Sequence, residues 1–467
     1  MVGRKKEIEE LLSYKDSDRA EFVAVYGRRR VGKTYLVYQT FKNDLTFDVT
    51  GLYKRPMKEQ IANFYTQLAA AGWKGTMRSS WKEAFDDLAQ MIEKSRRKRK
   101  ILFFDEMPWM DTKRSGFESA LEHFWNSWAS RRNDVMLIAC GSATTWMMSK
   151  LINNRGGLHN RLTHQMHIRP FSLAETNALL CERHIHWQPE QVAICYMVMG
   201  GIPYYLSLLK PSLSLAQNID QLFFEQSGEM TTEFGRLFSS LFEYADYYEK
   251  IVATLAKKMK GMTRSEIASA TKISVGGNLS KALRNLENCC FIRRYNDYVH
   301  RGNNTVYQLI DPFCLFHYHF MASGEYHNSS GMWLSLQNTA KFASWAGFAF
   351  EMLCLMHIRQ IKEALGIGAV ATNVFSWRCE GAQIDLVIDR QDRIVNLCEI
   401  KFTSTQFVIT KAYHTNLMNK LRLFRESTAN IAPRRSLMLT FITANGVKKN
   451  AYSGEVAASV TLNQLMR

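Results

Sequence analysis

The chain has 467 residues, 46% apolar and 22% charged, which excludes a disordered polypeptide and exceeds one ordinary core, so two to four domains are expected. Its formal net charge of +17 suits contact with a polyanion, nucleic acid being the usual one, although charge alone proves nothing. The nine cysteines form no CxxC pair, the opening MVGRKKEIEE has no apolar h-region, and no apolar run reaches the ~20 residues that span a bilayer, so disulfides, a zinc site, a secretory signal and a membrane span are not expected and a reducing cytoplasm fits.

No internal repeat or low-complexity stretch is present. The first third alternates short apolar strands with amphipathic helical patterns, the signature of α/β with a parallel sheet. Phe22 to Tyr26 reads as a buried strand, followed by a Gly-rich turn and a helix from Lys33. The turn, Gly27-Arg28-Arg29-Arg30-Val31-Gly32-Lys33-Thr34, matches GxxxxGK[ST] at every fixed position. Its glycines let backbone N–H groups close around phosphate, Lys33 reaches the β and γ oxygens, Thr34 offers its hydroxyl to Mg²⁺, and Tyr35 follows on the helix. ATP and Mg²⁺ are therefore the expected cofactors.

Ile101 to Phe104 is the next apolar strand, closed by Asp105 and Glu106. There Asp105 would hold Mg²⁺ through water and Glu106 would polarise the attacking water. The run from Lys94 to Lys100 just before it reads as a solvated helix-to-strand connection in preference to a nucleic-acid contact. Val135 to Ala139 is a third strand, and Ser142 after it either senses the γ-phosphate or caps a helix. Arg155 and Arg161 lie in a basic loop; either would stabilise transition-state charge, in cis or from a neighbouring subunit, or be plainly solvated.

From Phe171 to Asp246 the pattern is mainly helical, broken by Gly200-Gly201-Ile202-Pro203. His184 and His186 have no third ligand nearby and read as a solvated loop.

These motifs resemble the archaeal-type ATPase family of prokaryotic AAA+ and STAND-like proteins. The likeness rests on Val2-Gly3-Arg4 with Glu7 and Glu9-Glu10, the P-loop arginine triplet, Phe104-Asp105-Glu106, Cys140-Gly141-Ser142, Arg169-Pro170-Phe171 and Gly200 to Leu206. The resemblance implies that Val2, Gly3 and Arg4 lie against adenine and that the Gly-Gly-Ile-Pro segment belongs to a helical lid. The sensor position is Ser142 where better-known AAA+ enzymes have asparagine.

Residues 247–322 read as a winged helix-turn-helix. Thr263 to Ala268 opens a capped helix, Thr271-Lys272-Ile273 turns, and a second helix runs from Asn278 to Asn288. Leu279, Ala282, Leu283 and Leu286 form its apolar back, with Asn278, Lys281, Arg284 and Asn285 as a polar front able to touch DNA. Strands Phe291 to Tyr295 and Thr305 to Leu309 make the wing, where Arg293, Arg294, His300 and Arg301 add charge. Such a module binds DNA or docks protein.

A polar stretch from Ser323 opens a linker to residue 339, and the tail from 340 to 467 starts with a helix and continues as α/β. Asp385 sits in the strand Gln383 to Ile388; Glu399 and Lys401 share one face of the strand Asn396 to Lys401. Two carboxylates can hold a divalent metal and a lysine can orient water for phosphodiester attack. This set resembles the PD-(D/E)XK nuclease fold that the same ATPase family carries at its C-terminus, with Ile384 in place of the motif's proline. That fold implies a further acidic residue from the preceding helix, here Glu351, and a second Mg²⁺ or Mn²⁺.

The whole reads as an α/β multidomain chain: a P-loop AAA+ core (1–170), helical lid (171–246), winged helix-turn-helix (247–322), linker (323–339) and restriction-endonuclease-like domain (340–467). The expected function is ATP hydrolysis coupled to DNA binding and metal-dependent cleavage. The alternative is an ATP-controlled switch whose tail is an inactive docking module. A homo-oligomer or a partner protein stays open.

Overall fold

The computed structural model of the protein describes residues 2–467 except 143–145, 153–157, 159, 300–304, 327–330 and 432–433. The chain divides into two units, Met1–Pro170 and Phe171–Arg467.

The first unit is built on five strands: β1 (Glu21–Gly27), β2 (Leu45–Thr50), β3 (Lys100–Asp105), β4 (Val135–Ser142) and β5 (His164–Ile168). They form one parallel sheet in the order β2-β3-β4-β1-β5. The three central strands are buried almost throughout, because helices on both faces leave no solvated side and demand continuous apolar runs. The edge strands β2 and β5, LTFDVT and HQMHI, are mixed in polarity and escape that pattern.

Parallel register brings the strand ends that matter to one edge. Gly27 pairs with both Ser142 and Ile168, and Phe104, just before Asp105, pairs with Ala139. Gly27 is tightly constrained: a Cβ there would lie 2.2 Å from the carbonyl oxygen of Ile168. Gly27→Ala must push β1 and the edge strand β5 apart, and chemical denaturation should show a loss of about 3 kcal/mol. An unchanged midpoint would contradict this packing.

The second unit opens with helices around a buried hub. In the helix Pro189–Met199 every residue from Val192 onward is buried, and the helix Ala340–Met356 packs against it. His357, 1% exposed, ties them to the helix Leu173–Glu182 by accepting from the Leu173 N–H at 2.8 Å.

The expected linker 323–339 is corrected here. Its second half is a helix, Met332–Gln337, whose Trp333 is fully buried and donates its backbone N–H to Asp220 at 2.8 Å. The polar residues before it hid a short apolar pair, Trp333 and Leu336, that closes on the helical hub.

Next come the helices Arg264–Thr271 and Gly277–Asn288, the first opened by a Thr263/Glu266 capping box and closed by Lys272 in the left-handed region (φ 55°). They accompany an antiparallel sheet of β6 (Met262–Thr263), β7 (Ile292–Asn296) and β8 (Thr305–Leu309), ordered β6-β8-β7. The C-terminal sheet runs β9 (Thr372–Cys379), β10 (Ala382–Arg390), β11 (Ile394–Lys401), β12 (Ser436–Thr443) and β13 (Val456–Thr461), in spatial order β13-β12-β11-β10-β9. β9 to β11 are antiparallel and β11 to β13 parallel. The helix Ala340–Met356 contacts β11, and the helix Lys411–Thr428 contacts β10.

The two sheets of this unit are joined. Beyond β7, Asp297 bridges Ser376 of β9, the Tyr298 N–H donates to the Ser376 carbonyl at 2.9 Å, and Arg378 N–H donates to Asp297 at 3.3 Å. The Tyr298 ring is fully buried beside Trp377 and Phe424.

Candidate nucleotide site and carboxylate centre

The P-loop lies between β1 and the helix Lys33–Phe41, so the N–H groups of that helix's first turn face the loop. Gly32 (φ 87°) and Arg30 (φ 69°) take left-handed conformations that curl the loop back on itself. Lys33 is only 5% exposed: its Nζ donates to the carbonyls of Arg28 (3.0 Å) and Gly27 (3.3 Å). Arg28 and Val31 are buried; Arg29 and Arg30 are half-buried. Tyr35, on the same helix, is 56% exposed.

Thr34 Oγ1 donates to both carboxylate oxygens of Asp105, at 3.0 and 3.1 Å. Glu106 is held with φ 43° and ψ 44°, a strained backbone for a non-glycine residue and one that clusters at functional sites. Burial pushes its carboxyl above the ordinary range; Lys33 and Arg29 oppose that shift, and Asp105 adds to it. Glu106 thus has two cations and one carboxylate as electrostatic neighbours, all from the motifs that mark the site in the sequence.

Ser142 ends β4 beside Gly27 and is buried; the residues after it lie outside those described. Val2 and Gly3 are half-buried, and Arg4 reaches to the loop, donating to the Val31 carbonyl at 3.1 Å and the Arg169 carbonyl at 2.6 Å. Arg4 therefore pins the N-terminal segment to the P-loop with its guanidinium.

Arg161 needs correction. Thr163 N–H bonds the Phe22 carbonyl at 2.9 Å, at the start of β1, whereas the P-loop follows its end. At ~3.3 Å per residue, the Arg161 backbone stands roughly 15–20 Å from the loop, at the opposite edge of the sheet, so the structure does not bring it to the P-loop. Arg155 lies outside the described residues. The mixed polarity of His164–Ile168 hid the strand β5, so nothing placed Arg161 at its N-terminal end.

On the helix Gly277–Asn288, Asn278, Lys281 and Arg284 are exposed. Asn285 is not: it is 4% exposed and donates to the Tyr248 hydroxyl at 2.9 Å, so it leaves the DNA-facing set. It flanks the apolar stripe, and the preceding helix Ala245–Lys257 covers that flank. Arg293 also leaves the solvent side. Its Nε donates to Gln308 at 2.9 Å, its guanidinium stacks on Tyr295 at 4.5 Å, and its charge acts on Glu351 and Asp385. Arg294 is exposed and pairs with Glu287 at 3.0 Å, while His300 and Arg301 lie outside the described residues.

In the C-terminal sheet Leu386 pairs with Cys398, so Asp385 and Glu399 lie just beyond that end of the β10–β11 ladder. Glu399 is 7% exposed and engaged by Lys420 (2.9 Å), Lys401 (3.2 Å) and the hydroxyl of Tyr413. Burial pushes its carboxyl up, but the two lysines and the tyrosine together hold it below the usual range. Asp385 accepts from Gln383 and is raised, by burial first and also by Glu399. Burial and then Asp385 raise Glu351, against Arg293, Lys260 and Lys401.

Lys420, Tyr413 and Arg293 were not singled out for this centre. Tyr413 and Lys420, seven apart on one helix, share a face; that spacing was the available signal. Among the described residues no group of three or more His, Cys, Asp or Glu is arranged to hold a metal ion. The expected set of Asp385, Glu399 and Glu351 is therefore not assembled as metal ligands, because Glu399 is drawn to two lysines.

Residues 1–209 match a family model described as an ATPase domain predominantly from Archaea. Over 428 residues, 90% of this chain, the protein is 22% identical to an uncharacterized protein of Methanocaldococcus jannaschii, covering 92% of it. The Walker-type ATPase of Pyrococcus abyssi is 16% identical and shares the fold at a TM-score of 0.52, over 68% of this chain and 96% of that one. The ORC2 protein of Aeropyrum pernix, in ADPNP–ADP complexes, aligns at a TM-score of 0.44 and 14% identity, over 68% of this chain and 92% of its own. No helix among the described residues is long and apolar enough to cross a membrane.

Proposed function

We propose that the protein binds ATP with Mg²⁺ at Gly27 to Thr34, hydrolyses it with Glu106 as general base, and couples nucleotide state to DNA binding and to a nuclease-like C-terminal domain. The observation that carries this reading is the contact of Thr34 Oγ1 with Asp105 at 3.0 Å, beside Lys33 and Glu106. Thr34 and Asp105 are the hydroxyl and carboxylate that would hold Mg²⁺, which when bound neutralises charge on the β and γ phosphates. Lys33 would exchange its bonds to the Gly27 and Arg28 carbonyls for phosphate oxygens. Glu106 would accept the proton of the attacking water, and burial favours that acceptance by raising its basicity. Phosphate release by the wild type and by variants of Lys33 and Glu106 tests this reading.

The capped helix, left-handed turn, second helix and hairpin of residues 247–322 support a winged helix, with Asn278, Lys281 and Arg284 as its exposed polar front. Lys281→Ala with Arg284→Ala should weaken DNA binding and lower the slope of log K against log salt by about two units, one per lost phosphate contact. An unchanged slope would turn this face into a protein-docking surface.

For residues 340–467 the mixed sheet flanked by helices, with Glu399 and Lys401 on one face and Asp385 on the neighbouring strand, supports a PD-(D/E)XK-like domain. One observation favours the second reading, a docking module without cleavage: the three carboxylates are not gathered as a metal-ligand set.

A further inference from the structure

The loop that follows β2 lies against the Glu106 turn. Gly51 N–H donates to the Asp105 carbonyl at 2.9 Å. A Cβ on Gly51 would lie 2.5 Å from the Glu106 carbonyl oxygen and 3.2 Å from side-chain carbons of Trp109 and Met110. Backbone meets backbone there, with no flexible side chain between them to absorb a displacement. The Glu106 carbonyl also accepts from the Trp109 N–H at 2.9 Å, which ties it to its own turn. A shift of Gly51 is therefore felt at Glu106, whose left-handed backbone (φ 43°, ψ 44°) has little room to relax.

The helix Met57–Ala70 sets the shape of this loop. Gln60, 1% exposed, accepts from the Leu52 N–H at 2.9 Å and donates to the carbonyls of Leu52 (2.6 Å) and Arg55 (3.3 Å). Asn63 donates to the Thr50 carbonyl at 2.8 Å. One buried amide that satisfies three backbone groups makes the loop a braced unit. What the brace presents to solvent is aromatic and basic. Tyr53 is 45% exposed and meets the Trp109 ring edge-on at 5.2 Å, with the Lys54 ammonium 5.0 Å from the Tyr53 ring centroid. Lys54, Arg55 and Lys58 are exposed, and the one carboxylate within residues 51–60, Glu59, is paired with Arg55 at 3.6 Å.

We propose that Tyr53, Lys54, Arg55 and Trp109 form a binding surface for single-stranded nucleic acid, and that strand bound there raises ATP hydrolysis by acting through Gly51 on Glu106. A single strand fits this chemistry because its unstacked bases can lie on aromatic rings while its phosphates meet the cations; a duplex hides its base faces. The surface belongs to the first unit, whereas the helix Gly277–Asn288 belongs to the second. The coupling rests on the ATP-hydrolysing reading of Glu106; the binding does not.

The test uses the full chain carrying Lys281→Ala with Arg284→Ala as parent, which removes the basic front of the second unit, and an oligodeoxythymidylate of about 16 nucleotides. Fluorescence anisotropy reads strand binding, and the ratio of phosphate release with and without strand reads the coupling. The strand should bind and raise release about fivefold or more, the low end of ordinary coupling between sites. Tyr53→Ala with Lys54→Ala should weaken binding about tenfold or more and abolish the rise, the scale of losing one stacked base and one phosphate contact. Tyr53→Phe keeps the ring and should match the parent in both readouts. Gly51→Ala should keep strand binding and lose the rise, since its Cβ displaces the Glu106 carbonyl. Equal strand affinity with and without Tyr53 and Lys54 would overturn the surface and leave it to a protein partner. Strand binding with no rise in the parent would overturn the coupling. No phosphate release in any sample would overturn the ATP-hydrolysing reading and the coupling with it, while anisotropy still decides the binding.

Discussion

Glu106→Gln should keep ATP bound and slow its hydrolysis by about 10²-fold or more, the scale of losing a positioned general base. The substitution is isosteric and keeps one acceptor oxygen, so the left-handed turn at Glu106 and the Trp109 N–H bond to its carbonyl (2.9 Å) should survive. What it removes is the proton acceptor and one charge from a set of Lys33, Arg29 and Asp105. Losing that carboxylate leaves Lys33 and Arg29 less compensated, which should hold phosphate at least as tightly as before. The signature is thus a lowered turnover with an unchanged or lower dissociation constant for ATP. Turnover within twofold of wild type would move the base elsewhere.

Lys33→Ala should cost about 10²–10³-fold in hydrolysis at subsaturating ATP, the scale set by losing one charged donor at a preorganised anion site. Lys33 differs from the exposed lysine that a P-loop sequence suggests: it is 5% exposed and satisfies two loop carbonyls. Removing it therefore has two consequences. The phosphate loses its ammonium partner, and the Gly27 and Arg28 carbonyls lose a donor, which should lower stability by about 1–2 kcal/mol. A melt and a nucleotide titration on the same preparation separate the two. Tight ATP binding with full turnover in the variant would remove Lys33 from the site.

The nucleotide site was legible because its parts are contiguous. A strand, a Gly-rich turn and a helix in immediate succession leave the chain little choice of geometry, and Asp105-Glu106 closes an apolar strand that is central in the sheet. What was illegible depended on partners distant in sequence. Nothing local to Asn285 says that Tyr248 covers it, and nothing local to Trp333 says that its backbone N–H will meet Asp220. Arg161 could not be placed for a different reason: the mixed-polarity strand His164–Ile168 that follows it carries no alternation to mark it. At the carboxylate centre the strand alternation of Glu399 and Lys401 was readable, since both sit on one face. The competing cations were not, because Lys420 comes from a helix after the strand and Arg293 from a hairpin far before it. Basic residues on a wing suggest solvent and nucleic acid until the docking of β7 onto β9 is seen.

The most direct test of the central claim is phosphate release from ATP by the wild-type chain, measured with Mg²⁺ and again with the ion chelated. Thr34 and Asp105 meet at the place a bridging cation would take, so release should require Mg²⁺ and collapse on chelation. Release that is absent with Mg²⁺, or that persists undiminished without it, would contradict the assignment of Gly27 to Thr34 with Asp105 and Glu106 as an ATP-hydrolysing site.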